Sequence, residues 1–291
     1  MARDIALLTN PAAGHGRGPR TAAIARPRLE EAGFRVRDLV GRDADESQDL
    51  AHGAVADGVD TLVVVGGDGL VHLAVQALAG TPTSLGIIPS GHGNDVARCL
   101  GLPRTDPQLA ADVVVGSRTR RIDLGRCGST YFVTVLAAGF DALVNHRANA
   151  MTWGRGQLRY TVSTIAELRV FEPLPYTLQL DGRVHETEAM LVAVGNGSTY
   201  GGGLRIAEGA SLDDGFLDVV VVRRMSRLDL VRTYPKLFSG RHVGHPKYEH
   251  HRVRSVTVAG PGIHAYADGE GVGELPLTVE IAPRTLEVLV P

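Results

Sequence analysis

Three apolar runs in the first 95 residues each end in a glycine-bearing turn, and this repetition leaves few folds open. Residues 5–9 run into Asn10-Pro11-Ala12-Ala13-Gly14, and residues 61–65 into Gly66-Gly67-Asp68-Gly69. Residues 85–88 run into Pro89-Ser90-Gly91-His92-Gly93-Asn94-Asp95. A short run that is apolar throughout suits a strand covered on both faces. A helical stretch to about Ala32 follows the first turn, residues 34–40 read as a further strand, and residues 70–78 place apolar side chains at helical spacing. Repeated strand–helix units predict an α/β domain with a parallel, right-handed, doubly wound sheet. Pro27 sits inside the first helical stretch, where it removes a backbone donor and blurs the boundaries.

From about Tyr131 alternation replaces helical periodicity. Residues 176–180 and 184–188 flank Asp181-Gly182, a type I′ hairpin signal. Further strands are predicted over 190–194, 217–222, 253–258, 277–281 and 286–290, with helices over 157–171 and 228–238. This half is expected to be a mostly antiparallel β-sandwich. The change of pattern near Arg126 comes without a flexible linker, so two domains abutting across a cleft are expected. The first spans 1–126 and is joined by the C-terminal strand 284–291; the second spans 127–283.

A chain of 291 residues favours two domains. Its 36 glycines, about 12% against a usage near 7%, follow no period, which assigns them to loops. A net charge of −2 gives no reason to expect a nucleic-acid partner. Cys99 and Cys127 form no C-x-x-C pair and read as reduced, buried thiols. No stretch approaches the ~20 apolar residues of a membrane span, and the N-terminus has no signal-type apolar region. The expectation is a cytoplasmic protein whose membrane contact is peripheral.

In a doubly wound sheet the three glycine turns open at the carboxyl edge of the strands, where ligands bind. Glycine lets backbone N–H groups approach an anion, and the helix N-terminus behind adds favourable potential. One such turn is an ordinary βα connection; three, two of them with an Asp, read as a phosphate-binding rim. Gly14, Gly16 and Gly18 space as G-x-G-x-G, not the G-x-G-x-x-G of a dinucleotide fold. Ser90 is no nucleophile elbow, because Ile88 stands where G-x-S-x-G needs glycine. No Walker A lysine pattern occurs.

The set N-P-x-x-G, G-G-D-G and P-x-G-x-x-N-D-x-A-R-x-L-G, ending in Ala97-Arg98-Cys99-Leu100-Gly101, resembles the diacylglycerol kinase / sphingosine kinase catalytic family, most of all its bacterial lipid kinase branch. The resemblance continues through Ala138-Gly139-Phe140-Asp141, Gly201-Gly202-Gly203, Leu212-Asp213-Asp214-Gly215 and Asp268-Gly269-Glu270. It implies an NAD kinase / diacylglycerol kinase-like α/β domain that binds nucleotide, a β-rich domain that binds lipid, ATP as phosphoryl donor, Mg²⁺, and diacylglycerol as acceptor. By the same resemblance Asn10, Pro11, Ala12, Ala13, Gly14, Gly67, Asp68, Gly69, Leu70, Val71, His72, Leu73 and His92 would hold the nucleotide. Asp68 and Asp95 would act through a bridging Mg²⁺, since bare carboxylates repel phosphate. Asp95 also reads as a helix N-cap. Glu270 matches the family's general base for the lipid hydroxyl, and Ser211, Asp214 and Phe216 match its structural magnesium site.

The chain departs from the family where Leu70, His72 and Leu73 replace the usual Thr, Asn and Glu, and where His92 replaces a Thr that faces the nucleotide. An imidazole also donates to phosphate. Residues 241–254 hold four Arg or Lys and four histidines, which read as a solvated basic loop able to attract anionic headgroups. Sphingoid bases, other lipid alcohols and NAD compete as acceptors, and a non-catalytic nucleotide or lipid sensor is the reading from a different class. Edge strands in the second domain are open to homodimerisation.

Overall fold

The computed structural model describes residues 4–11, 16–139 and 172–291. The helix expected over 157–171 lies outside the described residues, as do Ala12, Ala13 and Gly14 of the first turn and Phe140-Asp141. The chain divides into two compact units, Met1–Leu124 with Ala282–Pro291, and Gly125–Ile281.

The first unit is a parallel sheet between helices. Its strands are β1 (Asp4–Thr9), β2 (Arg35–Val40), β3 (Thr61–Gly66) and β4 (Ser84–Pro89), in the order β4-β3-β1-β2. The end of β15 (Leu277–Leu289) joins parallel to β4 through Val288 and Leu85. Its helices are α1 (Arg17–Glu31), α2 (Ala44–Ala56), α3 (Asp68–Leu78), α4 (Asp95–Cys99) and α5 (Pro107–Gly116). Ile5, Leu7, Val63, Val65 and Ile88 form one core with Ala25 and Leu29 of α1 and Ala110, Ala111 and Val114 of α5. The intervening residues Ala6, Leu8, Leu62 and Val64 are equally buried and point to the opposite face, because side chains alternate along a strand. There α2 packs on α3. Burial on both faces explains the apolar runs of β1, β3 and β4, whereas edge strand β2, with Arg35, Arg37 and Asp38, is mostly exposed.

Two helices escaped the sequence reading. α2 begins at Asp43, whose carboxylate accepts from the Glu46 amide, and α5 begins at Asp106, which accepts from the Gln108 and Leu109 amides. Both are standard N-cap arrangements, but their helices carry weak apolar periodicity. Pro27 lies within α1, which continues past it to Glu31.

The second unit is antiparallel at every described pairing within it. Its strands are β6 (Thr130–Phe132), β7 (Val135–Gly139), β8 (Leu174–Leu180), β9 (Arg183–Gly195), β10 (Leu217–Arg223), β11 (Tyr248–Val253), β12 (Ser255–Ala259), β13 (His264–Ala267) and β14 (Glu270–Glu274), with the start of β15. The chain passes between units within β5 (Thr119–Cys127) and β15. β9 is the hub: its first half pairs with β8 across the Asp181-Gly182 hairpin, its second half with β7 and β10. One face of β7, β9 and β10 enters the large core with Tyr176, Leu178, Val256 and Val258. The other face is covered by Ile206 and Ala207, with Leu237 of α6 (Arg227–Leu237) packed against it.

Three expectations need correction here. The strand expected over 253–258 is two strands broken at Arg254, because the Asp181 carboxylate accepts from the Arg254 and Ser255 amides, at 3.0 and 2.9 Å. The strands expected at 184–188 and 190–194 are one continuous β9, just as those expected at 277–281 and 286–290 are one β15. The solvated loop expected over 241–254 includes β11, a buried His242, a hydrogen bond between His250 and Asp218 at 2.6 Å, and an ion pair from Arg252 to Asp214.

Candidate active site

Parallel pairing fixes where the three glycine turns begin. Thr9 is opposite Val65 and Gly66 opposite Pro89, so β1, β3 and β4 end level with one another. Strand order reverses between β2-β1 and β1-β3, and a doubly wound sheet opens its ligand crevice at such a point. The turn at Asn10 is on one side of that point and the turn at Gly67 on the other. Gly18, in the first turn of α1, sits where an added Cβ would lie 3.5 Å from the Asn10 carbonyl and 3.6 Å from that of Val65.

The second and third turns touch through backbone. A Cβ on Gly91 would come within 2.5 Å of the Gly67 Cα, so only glycine allows this approach. Asn94, in a left-handed conformation with φ 51°, clamps the third turn: its side-chain amide donates to the Gly91 carbonyl and its oxygen accepts from the Gly91 amide, both at 3.0 Å. Asp68, opening α3, accepts from the Val96 amide at 3.1 Å and so caps α4, which the side chain of Asn94 does not. This bond brings Asp68 to the start of the helix that Asp95 opens. Asp95 is 5% exposed and pairs with Arg98 at 3.4 Å. Arg98 in turn donates to the Gly93 carbonyl at 3.2 Å.

The residues expected to hold a nucleotide divide by what they present. Asn10 donates to the Asp43 carbonyl and to the Ser47 hydroxyl, each at 3.4 Å, which ties the first turn to α2. Pro11 and His92 are exposed, while Gly67, Asp68 and Gly69 are half-buried. Leu70, Val71 and His72 are buried, with Leu73 half-buried, so α3 offers the rim its first-turn backbone, while these three side chains pack inward. This places the Leu70 and His72 departures in the packing layer. His92 lies beside the Arg17 guanidinium, with 3.1 Å between Nη2 and Nδ1. Arg17 was not singled out from sequence, although its place as first residue of α1 behind a glycine turn was the available signal.

In the second unit Glu270 starts β14, exposed, directly after a tight turn at Asp268 (φ 51°) and Gly269 (φ 93°). The Asp268 carboxylate accepts from the Val133 and Thr134 amides, both at 2.8 Å, and from the Thr134 hydroxyl at 2.5 Å. Asn196, fully buried, donates to the Val133 carbonyl at 2.8 Å, and its own amide donates to Thr134 at 2.9 Å. The turn carrying Glu270 is therefore fastened to two loops at one end of the strands. Thr134 and Asn196 were invisible to motif reading.

Ser211, Asp214 and Phe216 lie together ahead of β10. The Ser211 hydroxyl donates to Asp213 at 2.8 Å, the Phe216 amide donates to Asp214 at 3.1 Å, and Arg252 pairs with the other Asp214 oxygen. The Arg252 guanidinium also lies 4.6 Å from the centre of the Phe216 ring. Asp214 thus has a cationic partner from the protein itself. Asp95 likewise has one in Arg98, while Asp68 accepts from the Val96 amide. Their oxygens are the donor type that a hard cation takes.

Residues 4–127 match the family model described as diacylglycerol kinase catalytic domain. Residues 134–290 match that described as YegS C-terminal NAD kinase beta sandwich-like domain. A Mycobacterium tuberculosis protein named diacylglycerol kinase is 44% identical, over 99% of this chain and 95% of its own length. A Bacillus subtilis protein of the same name is 28% identical, over 98% and 95%. The crystal structure of a diacylglycerol kinase from Bacillus anthracis superposes with a TM-score of 0.82 at 26% identity, covering 99% of this chain and 97% of that one. Among the described residues no helix is long and apolar enough to cross a membrane.

Proposed function

Because the chain belongs to the diacylglycerol kinase family of lipid kinases, we propose that it transfers the γ-phosphate of ATP to a lipid hydroxyl, with diacylglycerol as acceptor and phosphatidic acid as product. The observation that carries this reading is the level ending of β1, β3 and β4, from which three glycine turns begin side by side at the switch point of a parallel sheet. In this reading the turns at Asn10, Gly67 and Gly91 and the start of α3 hold the nucleotide phosphates by backbone N–H groups. Arg17 and His92 add donors for the phosphate oxygens. Asp68 and Asp95 hold Mg²⁺, which when bound would neutralise charge on the β- and γ-phosphates. Glu270 takes the proton from the acceptor hydroxyl as its oxygen bonds to the γ-phosphorus. The bond to the β–γ bridging oxygen breaks and ADP leaves.

The catalytic ion is assigned to Asp68 and Asp95, and a structural magnesium to the Asp214 carboxylate with the main-chain carbonyls of Ser211 and Phe216. The protein is proposed to act in the cytoplasm at the membrane surface, where the acceptor resides.

The test is label transfer from γ-labelled ATP, with Mg²⁺, to dispersed diacylglycerol, sphingosine and NAD in parallel. Transfer to diacylglycerol is expected, with Glu270→Gln retaining ATP binding and losing turnover. Transfer to NAD alone, or to no acceptor, overturns the reading. A nucleotide sensor would bind ATP without transfer in wild type and variant alike.

A further inference from the structure

His185, Glu249 and His251 take no part in the site above, yet three strands bring them together in the second unit. Glu249 and His251 are two residues apart on β11 and so share a face, on which Val253 follows into the core. His185 is on β9, on the same face as Ala189, which enters that core too. β10 lies between β9 and β11 in the pairing. Among the described residues β11 pairs with β10 alone, so it is an edge strand.

The geometry is that of metal ligands rather than of hydrogen-bonded partners. Glu249 Oε2 is 3.3 Å from His185 Nε2 and 3.7 Å from His251 Nε2. The three ligand atoms lie within 4.8 Å of one another. Zinc bonds to nitrogen and oxygen of about 2.1 Å set the edges of a tetrahedron at roughly 3.4 Å. Both imidazole Nε2 atoms are buried and make no hydrogen bond, and a buried polar atom left so calls for an explanation. The rings are 5.4 Å apart and tilted by 54°, so they do not stack. Burial, helped by His185 and His250, lowers the His251 pKa, which favours the neutral ring with a lone pair to give. Arg223 pairs with the other Glu249 oxygen, Oε1, and orients the carboxylate.

We propose that His185 Nε2, His251 Nε2 and Glu249 Oε2 form a three-ligand site for a borderline transition cation of the Zn²⁺ type, fastening edge strand β11 to β9. Two imidazoles and one carboxylate select Zn²⁺ or Co²⁺ over Mg²⁺ or Ca²⁺, which take oxygen alone. A fourth position is left to water. The site is independent of the lipid-kinase reading.

The test uses the full chain, stripped with chelator and titrated with Zn²⁺ and with Co²⁺. One equivalent should bind, the unfolding temperature should rise, and bound Co²⁺ should give the intense visible absorption of tetrahedral coordination. His251→Ala and His185→Asn should each weaken binding by at least about tenfold, while His264→Ala, at an exposed histidine on β13, leaves it unchanged. Weak octahedral Co²⁺ absorption in the wild type, or equal Zn²⁺ binding by both ligand variants, overturns the proposal. The wild-type spectrum decides the matter even if a variant fails to fold.

Discussion

Asp268 holds Thr134 twice, accepting from its amide at 2.8 Å and its hydroxyl at 2.5 Å, and this fixes the turn from which Glu270 projects. Asp268→Asn keeps the shape but replaces a charged acceptor and forces an amide N–H₂ towards donors. The expected cost is about 1–3 kcal/mol of unfolding free energy. If Asp268 positions Glu270, kcat falls while the KM for ATP stays unchanged. A purely structural role would lower the unfolding temperature and leave kcat of the folded fraction intact.

Gly91→Ala should separate two turns rather than unfold a domain. The new methyl carbon would sit 2.5 Å from the Gly67 Cα, and backbone on both sides must move. Overpacking of this kind costs about 1–3 kcal/mol. The KM for ATP should rise more than the KM for the lipid, because the displaced backbone is the proposed phosphate cradle. Equal rises in both constants would contradict the assignment of the rim to nucleotide.

His242 should make the second unit acid-sensitive. It is 2% exposed, beside Ile206 O and the Tyr248 ring, and burial pushes its pKa below the ordinary histidine value. The unfolded chain therefore takes up a proton that the folded state resists. Stability present above the unfolded pKa of about 6.5 is lost as pH falls through it towards the folded pKa. Thermal unfolding followed across that range should show a falling midpoint, with a shallower slope in His242→Gln. His251 shifts in the same direction, so some slope remains. A variant slope as steep as wild type would rule His242 out.

Much of the first unit was legible because its determinants are local. Residues 62–65 are apolar throughout since α1 and α5 cover one face of the sheet and α2 and α3 the other. Gly91 announces its turn because a side chain there would collide with the Gly67 Cα. Asp68, Asp95 and Glu270 were singled out on motif grounds, and the structure gives two of them a shared helix start. α2 was missed because a short Asp cap and sparse apolar residues leave a weak periodic signal.

Burial pattern and glycine geometry act over a few residues, so local order along the chain sets which segments become parallel strands and where their turns begin. Folding alone brings the Asp181 carboxylate to break the 253–258 run at Arg254, carries Asp268 back 134 residues to Thr134, and joins His185 to Glu249 and His251. Each depends on hydrogen-bonded strand pairing between distant segments. Such pairing has no footprint in local composition, because what selects it is the shared core that only the folded sheet creates.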